Sequence, residues 1–390
     1  MSMYAQLSTE ERTALVDAVR DFAQARLAPN AAEWDAEKHF PTDTLREAGE
    51  LGLGGIYVRE DVGGSGLSRR DAVAVFEELA QGDTTIAAYI SIHNMVAWMI
   101  DEFGNAEQRE KWLPRLVTME DLGSYCLTEP GAGSDAAAIT TSARLDGDHY
   151  VINGTKQFIS GAGSSAVYLV MARTGDPSTS SGGGSKGISA IVVPAGTEGL
   201  SFGANEKKMG WNAQPTRQVI FDNVRVPVEN RLSEEGDGFG IAMKGLNGGR
   251  VNMGACSLGG AQWALDQATR YVQEREAFGA PLAANQSIVF ALADMETELQ
   301  AARALLERAA SKMDEKAIDV ASACALAKRF ATDAGFTVAN QALQLHGGYG
   351  YLHEYGIERV VRDLRVHQIL EGTNEIMKLI VGRELLAGAR

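Results

Sequence analysis

The sequence has few cysteines and a deficit of positive charge. Its 390 residues include three widely spaced cysteines, Cys126, Cys256 and Cys324. An odd number at such spacing predicts reduced thiols in a reducing compartment rather than a disulfide framework. Lysine and arginine number 36 against 51 aspartates and glutamates, which gives a net charge of -15. Because nucleic-acid-binding proteins usually present a basic face, this balance argues against nucleic acid as a partner.

Long apolar runs, leader segments and clusters of metal ligands are also missing. No uncharged apolar run reaches membrane-spanning length, so no contact with a membrane is expected. The N-terminal stretch "MSMYAQLSTEERTALV" has the features of neither a secretory signal nor a transit peptide. None of the six histidines lies near a pair of cysteines, so no metal site is expected. These absences favour a cytoplasmic protein, with a bacterial cytoplasm as the default expectation.

The hydrophobic pattern changes its period twice along the chain. Residues 1–122 have the spacing of helices, residues 123–235 that of short strands, and residues 236–390 that of long helices. A chain of this length exceeds one hydrophobic core, so each segment is a predicted domain. Helices and strands are segregated rather than alternating, which predicts an α+β fold and not a doubly wound one.

Local signals place several elements within these domains. Ser8–Glu11 and Ser68–Asp71 match capping boxes at the starts of helices. Asn153-Gly154, between two alternating apolar runs, predicts a two-residue hairpin turn, and the Gly- and Ser-rich residues 174–187 predict the tip of another hairpin. Long Ala-rich helices, typical of a close-packed bundle, are expected at roughly 237–273, 288–315, 318–346 and 373–386.

Two glycine-containing loops could approach a ligand. In "YCLTEPGAGSD" (125–135), Gly131 and Gly133 suggest part of a dinucleotide fingerprint. The third glycine and a surrounding βαβ unit are missing, so nicotinamide binding is rejected. The loop is either a plain turn or a backbone cradle for a ring or a phosphate. In "LQLHGGYGY" (343–351), the pair Gly347-Gly348 is either a helix C-cap or a second place of close backbone approach.

Two basic side chains near helix ends have an ordinary and a functional interpretation. Arg275 in "REAFG" is either a solvated arginine at a helix C-terminus or a clamp for a phosphate. His346 could be a base or a ligand, but a single histidine beside a helix cap is more typical of a structural role. We therefore treat only Arg275 as a candidate.

Glu371 raises the sharpest question in the sequence. In "HQILEGTNEI" (367–376) it follows Ile369-Leu370 and precedes Gly372. It could simply cap the helix that is expected to start near Thr373. Alternatively, an apolar surrounding raises the pKa of a carboxylate and so makes it a stronger base once it is ionised. Composition and spacing leave both interpretations open.

The order of five segments resembles the acyl-CoA dehydrogenase family over essentially the whole chain. These segments are "YCLTEPGAGSD", "FISGAG", "REAFGAPLAANQ", "LQLHGGYGY" and "RDLRVHQILEGTNEI". The resemblance implies an N-terminal helical domain, a middle β-barrel-like domain and a C-terminal four-helix bundle. It also implies a homotetramer built as a dimer of dimers, FAD as the cofactor, an acyl-CoA substrate and electron-transferring flavoprotein as the acceptor.

The resemblance assigns the catalytic base to Glu371. The base of the family lies in an "EGT" or "EGS" triplet before the last helix, and residues 371–373 match this triplet. Isovaleryl-type members carry their base before an arginine on an earlier helix, where this chain has Gly249 before Arg250. Glu371 is therefore the implied sole base. It would remove the α-proton of the acyl-CoA while the β-hydrogen leaves as hydride to FAD, which gives a 2,3-enoyl-CoA.

The remaining site residues also carry over from the family's motifs. The implied contacts with the substrate are Ser134, Asn247, Arg250 and Gly372. The implied contacts with FAD are Tyr125, Leu127, Thr128, Gly133, Ser134, Phe158, Ser160, Arg275, Phe278, Gln286, Gln344, Gly347, Gly348, Thr373 and Glu375. Of these, Arg275, Phe278, Gln286 and the Gln344–Gly348 loop are expected to reach the FAD of a neighbouring subunit. Phe158 and Ser160 stand where many members have Trp and Thr, and Glu375 stands where Gln is frequent.

The choice of substrate and acceptor has alternatives. The segments "AYISIHNMVAWMIDEFGN" and "GLNGGRVNMGACSLG" are most similar to members that act on a short α-branched acyl-CoA. Tyr89, Ile92 and Trp98 are then candidates to close the acyl pocket. An acyl-CoA oxidase would share the half-reaction, but oxidases are usually longer. A non-catalytic relative, such as the DNA-binding branch, would need a basic surface, and the net charge and the intact Glu371 argue against it.

Overall fold

The structure, a computed structural model, describes residues 7–176 and 183–388. Its first part is helical, with the α-helices α1 (Thr9–Phe22), α2 (Ala31–Glu37), α3 (Thr42–Glu50), α4 (Arg69–Gly82), α5 (Thr84–Phe103) and α6 (Ala106–Val117). Ser8 and Ser68 form the predicted capping boxes of α1 and α4, so these two helices start where the sequence indicates. Helix α5 is buried on most sides, as its nearly continuous apolar sequence predicts.

Strands follow and form one mixed sheet. They are β1 (Gly123–Cys126), β2 (Ser142–Asp146), β3 (His149–Ser160), β4 (Val167–Arg173), β5 (Ile188–Pro194), β6 (Leu200–Phe202), β7 (Thr216–Pro227) and β8 (Arg231–Leu232). The order is β6-β7-β3-β2-β4-β5-β8, and β1 pairs with β4 in parallel. Strands β4 and β5 pair antiparallel from Arg173 opposite Ile188, which confirms a hairpin around residues 174–187. Residues 177–182 of its tip lie outside the described part of the chain.

The hairpin turn predicted at Asn153-Gly154 is wrong. Strand β3 continues through this pair, and the turn between β2 and β3 lies at Gly147, because Asp146 pairs with His149. The register between β3 and β7 shifts between Ile152 and Gly154, so the pair forms a bulge inside the strand. Glycine is still required there, since Gly154 has φ +146° and a Cβ would lie 2.5 Å from the Oγ1 of Thr141.

The last part of the chain is helical again. It contains α7 (Gly238–Glu274), the short hairpin β9 (Glu276–Ala277) and β10 (Ala280–Pro281), α8 (Gln286–Asp314), α9 (Val320–His346), α10 (Ile357–Arg365) and α11 (Asn374–Gly388). Four of the helices match the sequence prediction within a few residues, whereas α10 was not predicted. Short 3₁₀ segments include Gly347–Tyr351 after α9 and Val366–Gln368 between α10 and Glu371.

Helix α7 is the central element of the molecule. It is 37 residues long and packs against α4, α5, α8 and α9, with glycine and alanine on much of its buried surface. The small side chains let neighbouring elements approach its backbone closely. One hydrophobic core joins it to both helical regions, and a second joins α5 and α6 to the sheet. The predicted α+β class is confirmed, while the domain boundaries at 122/123 and 235/236 stay predictions.

The described residues hold neither a membrane-spanning helix nor a metal-ligand cluster, and their cysteines are free. No helix among residues 7–176 and 183–388 is long and apolar enough to cross a membrane. In the same part of the chain, no group of three or more His, Cys, Asp and Glu side chains is placed to hold a metal ion. Cys126, Cys256 and Cys324 are all buried as free thiols.

Candidate active site

The loop between α10 and α11 holds Glu371 in a strained backbone conformation. Glu371 has φ +56° and Gly372 has φ +93°, so two consecutive residues lie in the left-handed region. A side chain other than glycine rarely adopts this region, and such strain concentrates at functional sites. Two buried cations hold the loop: Arg250 Nε donates to the carbonyl of Glu371 at 3.1 Å, and Lys328 Nζ donates to that of Gly372 at 2.9 Å. The strained turn is thus fixed at both carbonyl groups.

The carboxylate of Glu371 has one buried, unpaired oxygen beside α7. Its Oε2 is buried and has no hydrogen-bond partner within the described residues. It lies against Gly249 of α7, where a Cβ would be only 1.9 Å from Oε2. Burial raises the pKa of Glu371 to about 7, against the opposing effect of the charges of Arg250 and Lys328. A carboxylate with these properties is suited to take a proton near neutral pH.

The alternative role of Glu371 as a helix cap is not what the structure shows. Helix α11 begins at Asn374, and the Oγ1 of Thr373 accepts a hydrogen bond from the N–H of Ile376 at 3.4 Å. Thr373, rather than Glu371, therefore supplies the side-chain cap. Thr373 therefore has a structural role besides the predicted contact with FAD. Glu375, two residues later, is exposed.

Three further predicted residues converge on Glu371. Arg250 is buried, and its Nη1 donates to the Oδ1 of Asn247 at 2.8 Å, one turn earlier on α7. The Oη of Tyr125 is buried without a hydrogen-bond partner in the described chain. Burial raises the pKa of Tyr125 well above its usual value, and the nearby charge of Glu371 adds to this, so the phenol stays protonated. The site thus joins a free carboxylate, a fixed guanidinium and an unpaired hydroxyl.

The loop 125–135 and the end of β3 form an open surface beside this group. The carbonyl of Thr128 accepts from the N–H of Gln157, which ties the loop to the strand that carries Phe158 and Ser160. Phe158 is left-handed, with φ +59°, and 63% exposed. Gly133 and Ser134 are exposed, Leu127 is buried, and a Cβ built on Gly133 would meet nothing within 4 Å. An exposed aromatic ring beside an open backbone suits the approach of a planar ligand.

A second group of predicted residues surrounds a separate cavity of about 610 Å³. Arg275, Gln344, Gly347 and Gly348 all line it. Phe278 and Gln286 are not among the lining residues, although Phe278 is fully exposed on a left-handed backbone.

His346, beside the same cavity, has the structural role that the sequence favoured. Its Nδ1 lies 2.8 Å from the carbonyl oxygen of Ala342, and its ring stacks on Tyr271 at 4.4 Å. Both interactions hold the end of α9 in place.

The two groups lie at different positions along α7. Arg250 and Arg275 are separated by 25 residues along α7 and its C-cap. At 1.5 Å per residue this is about 37 Å along the helix axis.

Sequence reasoning missed two buried cations at the site. Lys328 is fully buried on α9, and its Nζ also donates to the Oδ1 of Asn374 at 2.9 Å. In the sequence, Lys328 lies on the apolar face of its helix. Buried residues stand three and four positions before it and three and four positions after it. Arg69 is 4% exposed and is the first residue of α4, on the same stripe as Ala72 and Phe76, which follow it by three and seven residues. A long cation on a core-facing stripe is the signal that could have found both.

All three parts of the chain match family models. The N-terminal, middle and C-terminal domain models of acyl-CoA dehydrogenase match residues 9–120, 124–224 and 236–386. The chain belongs to the acyl-CoA dehydrogenase family. The resemblance of the five sequence segments is thereby confirmed, and the protein is an acyl-CoA dehydrogenase of a family that depends on FAD.

Individual relatives of this acyl-CoA dehydrogenase are similar over nearly its whole length. Mitochondrial isobutyryl-CoA dehydrogenases of Bos taurus and Dictyostelium discoideum are 53% and 54% identical, over 97% of this chain and 89% of each relative. The solved structure of butyryl-CoA dehydrogenase from Megasphaera elsdenii superposes with a TM-score of 0.93 at 38% identity, covering 98% of this chain and all of that one. The predicted likeness to members acting on short branched substrates is confirmed. The mitochondrial names do not support the expected bacterial cytoplasm.

The residues present fit FAD. The unpaired Oη of Tyr125, the exposed Phe158 and the open backbone at Gly133 provide a surface for a flavin ring beside the base. Arg275 and the open glycines at 347 and 348 provide a cation and backbone access, which suit a phosphate group.

Replacing Lys328 with methionine should shift the pH dependence of catalysis. Burial lowers the pKa of Lys328 to about 8, so the lysine is still charged at pH 7 and lowers the pKa of Glu371. Without this charge the pKa of Glu371 rises. Because the base acts only when ionised, the acidic limb of kcat/KM should move upward by about one pH unit.

Profiles of kcat/KM against pH for Lys328→Met and wild type check this. Lys378→Met is a matched control, since Lys378 is exposed on α11 and should leave the limb in place. An acidic limb at the wild-type pH in Lys328→Met would show that the lysine does not act on the base.

Proposed function

We propose that this acyl-CoA dehydrogenase oxidises isobutyryl-CoA to methacrylyl-CoA in valine breakdown and passes the electrons to electron-transferring flavoprotein. The observation that carries the proposal is the unpaired, buried Oε2 of Glu371 against Gly249. The identity of 53% and 54% to two isobutyryl-CoA dehydrogenases supports the choice of acyl group.

Glu371 is the group that takes the α-proton. Its pKa of about 7 leaves a large ionised fraction at neutral pH, and its oxygen has no competing partner within the described residues. Arg250 and Lys328 fix the loop through the two carbonyl groups, so the carboxylate is oriented before substrate binds. FAD, when bound, accepts the β-hydrogen as hydride. The N–H of Glu371 is our candidate donor to the thioester oxygen, in the manner of an oxyanion hole.

An α-methyl group makes the carbon facing Glu371 tertiary, so the pocket must be wide beside the base. Gly249 leaves room for the carboxylate itself, since any side chain there would meet it. Tyr89 stays a candidate to close the pocket, and its hydroxyl donates to the Gly123 carbonyl and lies 3.2 Å from the Oγ of Ser165. Ile92 and Trp98 stay candidates. One methylene in an apolar pocket changes kcat/KM by about 10–200-fold, so the preference should be graded.

We also propose that FAD sites are shared between subunits of a homotetramer. Tyr125, Leu127, Thr128, Gly133, Ser134, Phe158, Ser160, Thr373 and Glu375 would contact the FAD of their own chain. Arg275, Phe278, Gln286, Gln344, Gly347 and Gly348 would contact that of a neighbour. Arg275, Gln344, Gly347 and Gly348 line one cavity, which supports their acting together. Large apolar side chains exposed on α8 and α11, such as Phe290 and Leu386, are consistent with burial between subunits. A cytoplasmic location stays part of the proposal, and neither nucleic acid nor membrane is a proposed partner.

Isobutyryl-CoA should bleach the bound flavin of the anaerobic holoenzyme. Its kcat/KM with electron-transferring flavoprotein should exceed those of 2-methylbutyryl-CoA, butyryl-CoA and isovaleryl-CoA, with 2-methylbutyryl-CoA a measurable second. Flavin absorbance under argon and steady-state rates over this panel check the order. Rapid recovery of the absorbance in air would instead indicate an oxidase. Equal values for octanoyl-CoA and isobutyryl-CoA would contradict the proposed substrate.

A further inference from the structure

Arg69 is a buried guanidinium that the proposed chemistry does not use. It is the first residue of α4 and 4% exposed. Its backbone N–H donates to the Oδ1 of Asp314 at 2.8 Å, and its guanidinium carbon lies 3.5 Å from the ring centroid of Tyr57 and 4.8 Å from that of Trp98. Its Nη2 is buried without a hydrogen-bond partner in the described residues. The side chain is therefore held against two aromatic rings with one edge unsatisfied.

Arg69 lies beside the catalytic base. Gly248 and Gly249 are adjacent on α7: a Cβ on Gly248 would be 2.8 Å from the Nη1 of Arg69, and one on Gly249 would be 1.9 Å from the Oε2 of Glu371. Burial raises the pKa of Tyr57, the charge of Arg69 lowers it, and that of Glu371 raises it, so this ring lies within reach of both charges. The cation and the base therefore border the same region of α7.

We propose that Arg69 is a specificity-determining residue, which closes the acyl pocket beyond Glu371 and restricts the enzyme to short acyl groups. This inference rests on the proposed function, in which the acyl group lies beside Glu371. It deepens that function by assigning the limit on chain length to a residue. Trp98, one of the sequence candidates, then acts by holding Arg69 as well as by its own bulk.

The physical reason is that an alkyl chain can make neither cation–π contacts nor hydrogen bonds with the guanidinium of Arg69. A longer chain would either push the guanidinium away from the rings of Tyr57 and Trp98, or pack apolar atoms against the unsatisfied Nη2. The first loses cation–π attraction, and the second leaves a buried N–H without water or partner. A short branched group avoids both because it ends before it reaches the cation. The restriction therefore acts on length rather than on branching at the α-carbon.

The test compares chain-length profiles of holoenzymes carrying Arg69→Ala and Arg69→Met. For each we would measure kcat/KM with isobutyryl-, butyryl-, hexanoyl- and octanoyl-CoA. Arg69→Ala opens the space and should raise the ratio of hexanoyl-CoA to isobutyryl-CoA by about 10-fold or more. Arg69→Met keeps much of the volume and should give a smaller rise. Arg70→Ala is the matched control: Arg70 is the next residue, its N–H also donates to Asp314, and its side chain is exposed.

The outcomes separate this inference from the proposed function. If wild type oxidises isobutyryl-CoA but Arg69→Ala shows the profile of Arg70→Ala, the role of Arg69 is overturned and the function stands. If wild type prefers a short acyl-CoA that ends in a carboxylate, the guanidinium binds an anion and is not a closing wall, which also overturns the inference. If Arg69→Ala fails to fold, an unchanged profile in Arg69→Met and Arg69→Leu would overturn it equally. A longer-chain profile in any of these variants, absent from Arg70→Ala, supports it.

Discussion

Glu371→Gln should fold, bind flavin and acyl-CoA, and turn over roughly 10⁴-fold more slowly than wild type. The amide keeps the size of the side chain and the left-handed backbone, so the contacts of Arg250 and Lys328 with the loop should persist. It cannot accept the α-proton. No other carboxylate takes the place of the base on α7, where Gly249 precedes Arg250.

Turnover of Glu371→Gln is measured with electron-transferring flavoprotein as acceptor, together with the flavin spectrum and the affinity for acyl-CoA. Glu384→Gln is the control, since Glu384 is exposed on α11 and its loss should leave kcat unchanged. Turnover of Glu371→Gln within a few-fold of wild type would show that the proton goes elsewhere.

Gly249→Ala should lower kcat by about 10²-fold without weakening the fold. The added Cβ would fall 1.9 Å from the Oε2 of Glu371, far below contact distance, so the carboxylate must move. A displacement of about 1 Å at a reacting group can cost 10²-fold in rate. Alanine itself is a better helix former than glycine by about 1 kcal/mol, so loss of helix is not the cause.

The matched control for Gly249→Ala lies on the same helix. A Cβ on Gly240 would meet nothing within 4 Å, so Gly240→Ala carries the same chemical change without the collision. We expect kcat to fall only in Gly249→Ala, with flavin content and Tm close to wild type in both. Equal kcat in the two variants would mean that Glu371 has room beside α7, contrary to the structure.

The sequence predicts the parts of this fold that depend on short-range patterns. The capping boxes at Ser8 and Ser68 involve residues three apart, and the long helices follow from their apolar spacing, so both could be placed directly. The Asn153-Gly154 pair shows the limit, since the same dipeptide suits a turn or a bulge. The pair forms a bulge because β3 pairs with the distant strand β7. There the Oδ1 of Asn153 accepts from the N–H of Asn223, 70 residues away.

In the candidate site, too, the local features could be predicted from the sequence and the long-range contacts could not. The sequence left open whether Glu371 caps a helix or is a base with a raised pKa, and in the structure burial raises its pKa to about 7. The cations that hold its loop come from α7 and α9, 121 and 44 residues away from the carbonyl groups they bind, and nothing local connects them. Lys328 and Arg69 were visible only as charges on apolar stripes. The assignment of FAD contacts came from family resemblance and stays a prediction.

Exchange of the α-protons of acetyl-CoA with solvent tests the central claim, that Glu371 is the sole base, most directly. Acetyl-CoA has α-protons but no β-carbon, so proton removal can be followed without dehydrogenation. The measurement is deuterium incorporation by NMR, with holoenzyme in D₂O. We predict that wild type catalyses exchange and that Glu371→Gln exchanges no faster than buffer, whereas exchange by Glu371→Gln at the wild-type rate would contradict the account.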